Sequence, residues 1–95
     1  MLGTTPVSYF EYDDGWLVVG SGGGRRSDPQ WFLNLRTAGR AVFEVGTTRT
    51  EVFARVAEGE EYDAVWKVVT DRAPFFDKYR QKAGRPIPVA VLTPV

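Results

Sequence analysis

The chain has 95 residues, and its twelve Lys and Arg residues balance its twelve Asp and Glu residues. A chain of this length forms one domain around one core, and its balanced charge argues against a general nucleic-acid binder, whose affinity depends on many basic contacts to phosphate. It has no cysteine and no histidine, which excludes disulfides, cysteine–histidine zinc sites and serine–histidine triads within the chain.

The first half of the chain predicts a hairpin, a loop and a helix. Residues 5–12 (TPVSYFEY) are rich in β-formers, residues 16–20 (WLVVG) form a compact apolar run, and the turn signal DDG separates them. After a glycine-rich stretch, Asp28 or Ser27 is placed to cap a helix whose first position is Pro29 and which ends at Gly39. In that helix Trp31, Leu35 and Ala38 share one face.

The second half predicts another hairpin, two helices and a last strand. Residues 40–45 and 49–56 flank the turn GTT, and alternate residues of the second strand, from Thr50 to Val56, are apolar or small. Residues 60–72 and a short segment after Pro74 have helical spacing. Residues 87–93 (IPVAVLT) form an apolar strand, and their flanking prolines suit an edge or a barrel end. Hairpins dominate this order, so we expect a mainly β, α+β domain: a small, partly closed barrel of antiparallel strands with three short helices.

The stretch 20–31 (GSGGGRRSDPQW), here called the glycine loop with the helix start, is the candidate binding site. Bare glycine amides approach a ligand closely, the helix start adds a positive dipole end, and Arg25 and Arg26 supply forked donors, with Ser21 and Ser27 adding hydroxyls. These features favour an anion such as phosphate. A flexible connector with solvated arginines is the alternative. The dinucleotide and Walker patterns both fail here, since the sixth position counted from Gly20 is Arg25 and no Gly-Lys-Ser/Thr follows.

Aromatic residues on helical faces are usually core, and we expect most of a set of five to be so: Trp31, Phe32, Trp66, Phe75 and Phe76. Tyr79 follows the apolar positions of its helix. It is either a half-exposed aromatic residue that lines a pocket or a packed tyrosine.

Three segments together resemble the deazaflavin-dependent nitroreductase family of split β-barrel proteins: GSGGGRRSDPQWFLNL, VGTTRTEVFARV and DKYRQKAGRPIPVAVLTPV. The likeness covers nearly the whole chain in the family's order. It implies an oxidoreductase that binds the deazaflavin coenzyme F(420) and passes hydride from the reduced coenzyme to quinones, nitroaromatics or activated double bonds. An FMN-binding reductase of the same barrel type and a non-catalytic deazaflavin carrier are the alternatives.

The resemblance also implies roles for residues. The strand-end loop along the coenzyme corresponds to Ser21, Gly22, Gly23 and Gly24, and Arg25 or Arg26 would take the phosphate. The helix start that receives the coenzyme's tail corresponds to Ser27, Asp28, Pro29, Gln30, Trp31 and Phe32. A strand beside the deazaflavin ring corresponds to Phe43, Glu44, Val45 and Gly46, and residues 54–58 correspond to the part of the family's site that follows it. Tyr79 corresponds to a tyrosine on the substrate side, where it would orient the acceptor or donate a proton. No metal site is implied.

Family members begin with a further strand, whereas this chain begins at MLGTTPV. We therefore expect a single domain over residues 1–95 that lacks that strand, either as a truncated form or as a barrel with an open edge that a second copy covers. The short apolar runs predict no membrane span, and the sequence opens without a signal peptide, so a cytoplasmic location is expected.

Overall fold

The computed structural model describes residues 8–21 and 28–95, and within these ranges it has five strands and three helices. In chain order these elements are β1 (Tyr9–Tyr12), β2 (Gly15–Val19), α1 (Gln30–Ala38), β3 (Arg40–Val45), β4 (Thr48–Val56), α2 (Gly59–Arg72), α3 (Phe75–Ala83) and β5 (Val89–Pro94). The predicted α+β fold, with an antiparallel sheet and three short helices, is confirmed. No helix in these ranges is both long and apolar enough to cross a membrane.

The sheet has the strand order β1-β2-β5-β4-β3, and every neighbouring pair is antiparallel. The last strand therefore lies at the centre of the sheet, so of the two positions that its prolines suit, an edge or a barrel end, the edge is excluded. The prolines do not prevent a central position because of where they lie: Pro86 and Pro88 precede the strand, and Pro94 is its final residue. The residues between them have N–H groups available for both neighbouring strands.

Helices cover the sheet from both sides, and the core accordingly forms two clusters. On the α1 face, Phe32 is fully buried against β-sheet residues such as Val18, Val52 and Leu92. On the α2–α3 face, the core is formed by Leu17, Val19, Val65, Trp66, Val69, Phe76, Ile87, Val89 and Val91 with three buried alanines. Because side chains alternate along a strand, β2 and β5 contribute to both clusters, which is why their sequences read as unbroken apolar runs.

The sheet curls so that its two edge strands come within side-chain reach. The ring of Tyr9 in β1 meets the ring of Phe43 in β3 edge to face, with 5.5 Å between the ring centroids. Phe43 also contacts Trp16 of β2, at 4.8 Å between centroids. Aromatic side chains on the α1 face thus bridge the opening between the first and last strands of the sheet, as in a barrel that is partly closed.

The start of α1 differs from its predicted form. Pro29 is the N-cap and not the first helical residue, and no side chain caps the helix. Asp28 does not cap because its carboxylate pairs with Arg85; Ser27 lies outside the described residues. The buried side chain of α1 is Phe32, whereas Ala38 is exposed. The predicted end at Gly39 is confirmed, since Gly39 adopts a left-handed conformation with φ of 69° and its amide donates to the carbonyl of Leu35.

Candidate functional site

The candidate site lies at the sheet end where β2 leads into the glycine loop. The amide of Gly20 donates to the carbonyl of Pro88 at 2.9 Å, which joins the end of β2 to the segment just before β5. Ser21 follows, and at 8% exposure it is the one buried polar residue among the described residues. The next described residue is Asp28, which lies shortly before the start of α1. Gly22, Gly23, Gly24, Arg25, Arg26 and Ser27 lie outside the described residues, so their predicted part in the site stays a prediction.

Gly20 sits where no side chain fits. A Cβ atom there would lie 2.7 Å from the ring of Phe32 and 3.1 Å from the ring of Pro88. The missing side chain lets α1 pack directly against the strand end. Glycine at this position is therefore required by packing, and its effect is to hold the N-terminus of α1 beside the end of β2.

The N-terminus of α1 keeps its positive dipole end. Its first turn contains no acidic residue and no side-chain cap. The amides of Phe32 and Leu33 donate to the carbonyl of Pro29, at 3.0 and 3.2 Å. Gln30, on the exposed side, donates to Asn34 at 3.0 Å. Asp28, which precedes the N-cap, pairs its carboxylate with Arg85 and does not cap the helix amides, so the helix start can favour an anion near its first turn.

An ion pair joins this helix start to the segment after α3. Arg85 donates from Nη1 to Asp28 Oδ1 at 2.6 Å, and the two side chains are only 17% and 22% exposed. The same nitrogen lies 3.3 Å from the carbonyl oxygen of Pro86. Arg85 thus adds a guanidinium group at the loop, and sequence reasoning missed it. Since 57 positions separate it from Asp28, no local spacing could have indicated the pair.

The predicted strand 43–46 contributes alternate residues to the α1 face. Phe43 lies in the same core cluster as Phe32 and the half-buried Trp31. Val45 is half-buried, one alternation further along the strand. Glu44 points to the opposite face, where its carboxylate pairs with Arg49 at 2.9 Å. Gly46 forms the turn into β4 with φ of 61°.

Tyr79 packs on the other face of the sheet. It is half-buried in the α2–α3 cluster, with its ring 5.5 Å from that of Phe75 and 5.7 Å from that of Phe76. The structure therefore brings together Gly20, Ser21, Asp28 and Phe32 at one sheet end and Phe43 on the same face as Phe32, while Tyr79 belongs to a different cluster. The expectation that most of the five helical aromatic residues are core is confirmed, since Phe32, Trp66 and Phe76 are buried; Trp31 is half-buried and Phe75 is 50% exposed.

The family model and the similar proteins indicate the same family. Residues 1–94 match the family model described as F(420)H(2)-dependent quinone reductase. The chain is 33% identical over 93 residues to the F(420)H(2)-dependent quinone reductase Rv1261c of Mycobacterium tuberculosis strain H37Rv, covering 95% of this chain and 62% of that protein. It is 32% identical over 89 residues to a second protein of that strain, the putative F(420)H(2)-dependent quinone reductase Rv3178, covering 94% of this chain and 75% of that protein.

Solved structures share the fold. A structure of an F(420)-H2 dependent reductase (FDR-A) superposes with a TM-score of 0.82 at 28% identity, covering 93% of this chain and 78% of that one. A second, described as a domain-swapped dimer, has the same TM-score and identity and is covered to 66%. The chain thus spans less than two thirds of the length of Rv1261c and of the domain-swapped dimer's chain.

Proposed function

The chain belongs to the F(420)H(2)-dependent quinone reductase family, and from that premise we propose that it binds reduced F(420) at the sheet end and uses it to reduce a quinone. The observation that carries the proposal is the meeting of three features beside the glycine loop: the uncapped start of α1, the buried Ser21 and the guanidinium of Arg85. Nitroaromatic and enone acceptors are included in the proposal as further substrates of the same hydride transfer.

The residues present fit an anionic coenzyme tail. The amides at the start of α1 would hold its negative charge, and Ser21, a buried residue one position after Gly20, would add a hydroxyl donor. Asp28 fixes the guanidinium of Arg85 beside this helix start, and Arg25 and Arg26 are assigned to phosphate from the sequence alone. When bound, reduced F(420) supplies a hydride. On the α1 face, Trp31 and Phe43 offer apolar surface that would exclude water from a ring placed beside them.

A proton for the reduced acceptor has to come from a group other than histidine, which the chain lacks. The resemblance assigns this role to Tyr79, whose hydroxyl would orient the acceptor or donate the proton. This assignment comes from the sequence alone, because the Tyr79 ring packs in the α2–α3 cluster, on the sheet face opposite Trp31 and Phe43. Tyr62 is less suited, because its hydroxyl already donates to the carbonyl of Ile87 at 2.7 Å. Replacing Tyr79 by Phe should lower turnover while leaving coenzyme affinity within about twofold. A Tyr62→Phe variant serves as the matched control.

Binding is tested by titrating the purified chain with reduced F(420) and following the absorbance. Turnover is tested by adding quinones, nitroaromatics or enones and measuring oxidation of the coenzyme. Saturable binding with quinone-dependent oxidation supports the proposal. Saturable binding without oxidation by any acceptor identifies a carrier. A protein that is yellow as purified, with the absorbance of oxidised flavin, identifies an FMN enzyme.

Substitution of the two loop arginines, Arg25 and Arg26, gives a second test of coenzyme binding. Replacing both Arg25 and Arg26 by Ala should weaken coenzyme binding by about 2–5 kcal/mol, the range for removing desolvated charge partners. Arg72→Ala is the control, because Arg72 lies in the last turn of α2 and is exposed. Equal affinities for the double variant, the control and the parent chain would assign Arg25 and Arg26 to the solvated surface of a connector.

A further inference from the structure

The start of α1 lacks the cap that its own sequence provides. An aspartate directly before a proline is well placed to cap a helix, because its carboxylate can accept hydrogen bonds from the amides two and three positions further on. For Asp28 these are the amides of Gln30 and Trp31, which lie in the first turn and have no acceptor within the helix. Among the described residues, no side chain caps α1. Both amides therefore lack the acceptor that the sequence supplies for them.

Arg85 holds the carboxylate that would otherwise form this cap. Its Nη1 donates to Asp28 Oδ1 at 2.6 Å, and the two side chains are mostly buried. Opposite charges attract more strongly where water is partly excluded, so the guanidinium competes well with neutral amides for the same carboxylate. Asp28 thus has two alternative partners, and in this structure it pairs with the guanidinium.

The backbone on both sides of Arg85 is fixed without a contribution from α1. Gly84 ends α3 in a left-handed conformation with φ of 67°. Ile87 has no exposed surface, and the carbonyl of Pro88 accepts a hydrogen bond from the amide of Gly20 at 2.9 Å. The backbone that carries the guanidinium is therefore held in place. When the ion pair is broken, the carboxylate at the helix start is the partner that changes position.

We propose that Arg85 is a positioning residue that acts through Asp28: it holds the carboxylate away from the first-turn amides of α1 and so keeps them open to the negative charge of the coenzyme. The inference rests on the proposed function, because it concerns the same helix start. Without the guanidinium, the carboxylate turns to the amides of Gln30 and Trp31. It then occupies these donors and places a negative charge where the coenzyme tail would bind.

Removing Arg85 in two backgrounds tests whether it acts through Asp28. In the parent chain, Arg85→Met should weaken binding of reduced F(420) by about tenfold or more, because the form with open amides becomes a minor one. In a chain that carries Asp28→Ala, adding Arg85→Met should change the affinity by less than about threefold, since no carboxylate is left to move. A similar loss in both backgrounds would mean that Arg85 contacts the coenzyme itself, and it would overturn the proposal.

Conservative and control variants keep this test decisive. Arg85→Lys retains a cation that can pair with Asp28, so its affinity should stay within about threefold of the parent chain. Arg72→Met removes an exposed guanidinium from the last turn of α2 and should change the affinity by less than about twofold in either background. If Arg85→Met does not fold, Arg85→Gln takes its place, with the same contrast between backgrounds. A lysine variant that binds as weakly as the methionine variant would contradict a role through the ion pair.

Amide hydrogen exchange measured by NMR follows the Asp28 carboxylate without any coenzyme. In the parent chain the amides of Gln30 and Trp31 should exchange fast, as unpaired first-turn amides do. Arg85→Met should slow their exchange by about threefold or more, because the carboxylate now accepts from them, and adding Asp28→Ala should restore the fast rate. Unchanged exchange in Arg85→Met overturns the inference whether or not the coenzyme binds. Slowed exchange in a chain that does not bind F(420) would overturn the proposed function alone and confirm the movement of the carboxylate.

Discussion

At the scale of single residues, the site depends on a glycine whose role is steric. The sequence identifies the run of glycines from Gly20 onward as a place where bare backbone is needed. It does not reveal that Gly20 meets the ring of Phe32, a residue twelve positions further on and in another element. Local spacing predicts residue types along a strand or helix, whereas a contact between elements depends on how they pack.

Gly20→Ala should destabilise the fold by about 1–3 kcal/mol, the usual cost of forcing an extra carbon into a packed site. Urea unfolding measures this cost, and coenzyme titration should show weaker binding, because the start of α1 is displaced. Gly20→Ala combined with Phe32→Leu should cost less than the sum of the two single changes, since the smaller side chain makes room for the Cβ. Strict additivity would show that the added carbon is accommodated elsewhere.

The Asp28–Arg85 pair gives a second prediction at this scale. Arg85→Met should weaken coenzyme binding and reduce stability by about 1.5–3 kcal/mol, the range for hydrogen bonds to charged groups. Asp28→Asn should reduce stability less, because an amide oxygen can still accept from a guanidinium. A double-mutant cycle on the free energy of unfolding measures the coupling, and a coupling below about 0.5 kcal/mol would mean that the pair does not position the loop.

Tyr62 predicts a pH dependence. Burial raises the pKa of Tyr62 above its ordinary value near 10, and this outweighs the opposing effect of the nearby Arg80 guanidinium. The unfolded chain therefore ionises this tyrosine first. The stability that the neutral hydroxyl contributes is fully present below about pH 10 and is lost as the pH rises through the folded-state value.

Tyr62→Phe removes both the ionisation and the hydrogen bond to Ile87. It should cost about 0.5–1.5 kcal/mol at pH 8, and the difference from the parent chain should shrink towards pH 11. Unfolding free energies measured by urea at several pH values give this difference. Curves for the two proteins that stay parallel from pH 8 to 11 would contradict the assignment.

At the scale of elements, α3 has one buried phenylalanine beside an exposed one. Phe76 is 1% exposed and its ring packs against Phe10 of β1, with 6.1 Å between centroids. Phe75, its neighbour along the chain, keeps half of its surface in solvent. Residue type alone does not distinguish two adjacent phenylalanines, since the orientation of a short helix is set by the sheet beneath it.

Phe76→Ala should therefore cost about 3–5 kcal/mol, as expected for truncating a fully buried aromatic residue. Phe75→Ala should cost less than about 1.5 kcal/mol. Thermal or urea unfolding of the two variants compares them directly, with the exposed neighbour as the internal control. Similar losses for both variants would mean that Phe75 contributes to the core through its ring contacts with Phe76 and Tyr79.

The bounds of most elements followed from the sequence because turn residues and periodicity are local signals. The DDG turn, the glycine end of α1, and the alternation of Thr50, Val52 and Ala54 are all confirmed. The position of β5 did not follow, since strand order depends on pairing between distant segments. The cap of α1 did not follow either, because Arg85 competes for Asp28 from the far end of the chain.

At the scale of the whole molecule, β5 holds the sheet together. It pairs with β2 on one side and with β4 on the other, and its side chains enter both core clusters. The β1–β2 and β3–β4 hairpins are each local, and in the sheet neither pairs directly with the other. The stability of the whole therefore depends on a strand whose neighbours are both distant in sequence.

Amide hydrogen exchange should reveal this dependence. The amides of β5 and β2 should exchange most slowly, at rates set by global unfolding, whereas β1 and the outward amides of β3 should exchange faster through local opening. Exchange measured by mass spectrometry or NMR tests the order. Equal protection in the β3–β4 hairpin and in β5 would indicate that the sheet opens only as one unit.

The central place of β5 also fixes when folding can be completed during synthesis. A ribosome that has made the chain up to Pro88 has produced both hairpins and all three helices, but not the strand that connects them. Until residues 89–94 emerge, the edges of β2 and β4 that pair with β5 keep their backbone N–H and C=O groups unpaired. Such edges can pair with the wrong strand until the chain is elongated or a chaperone covers them.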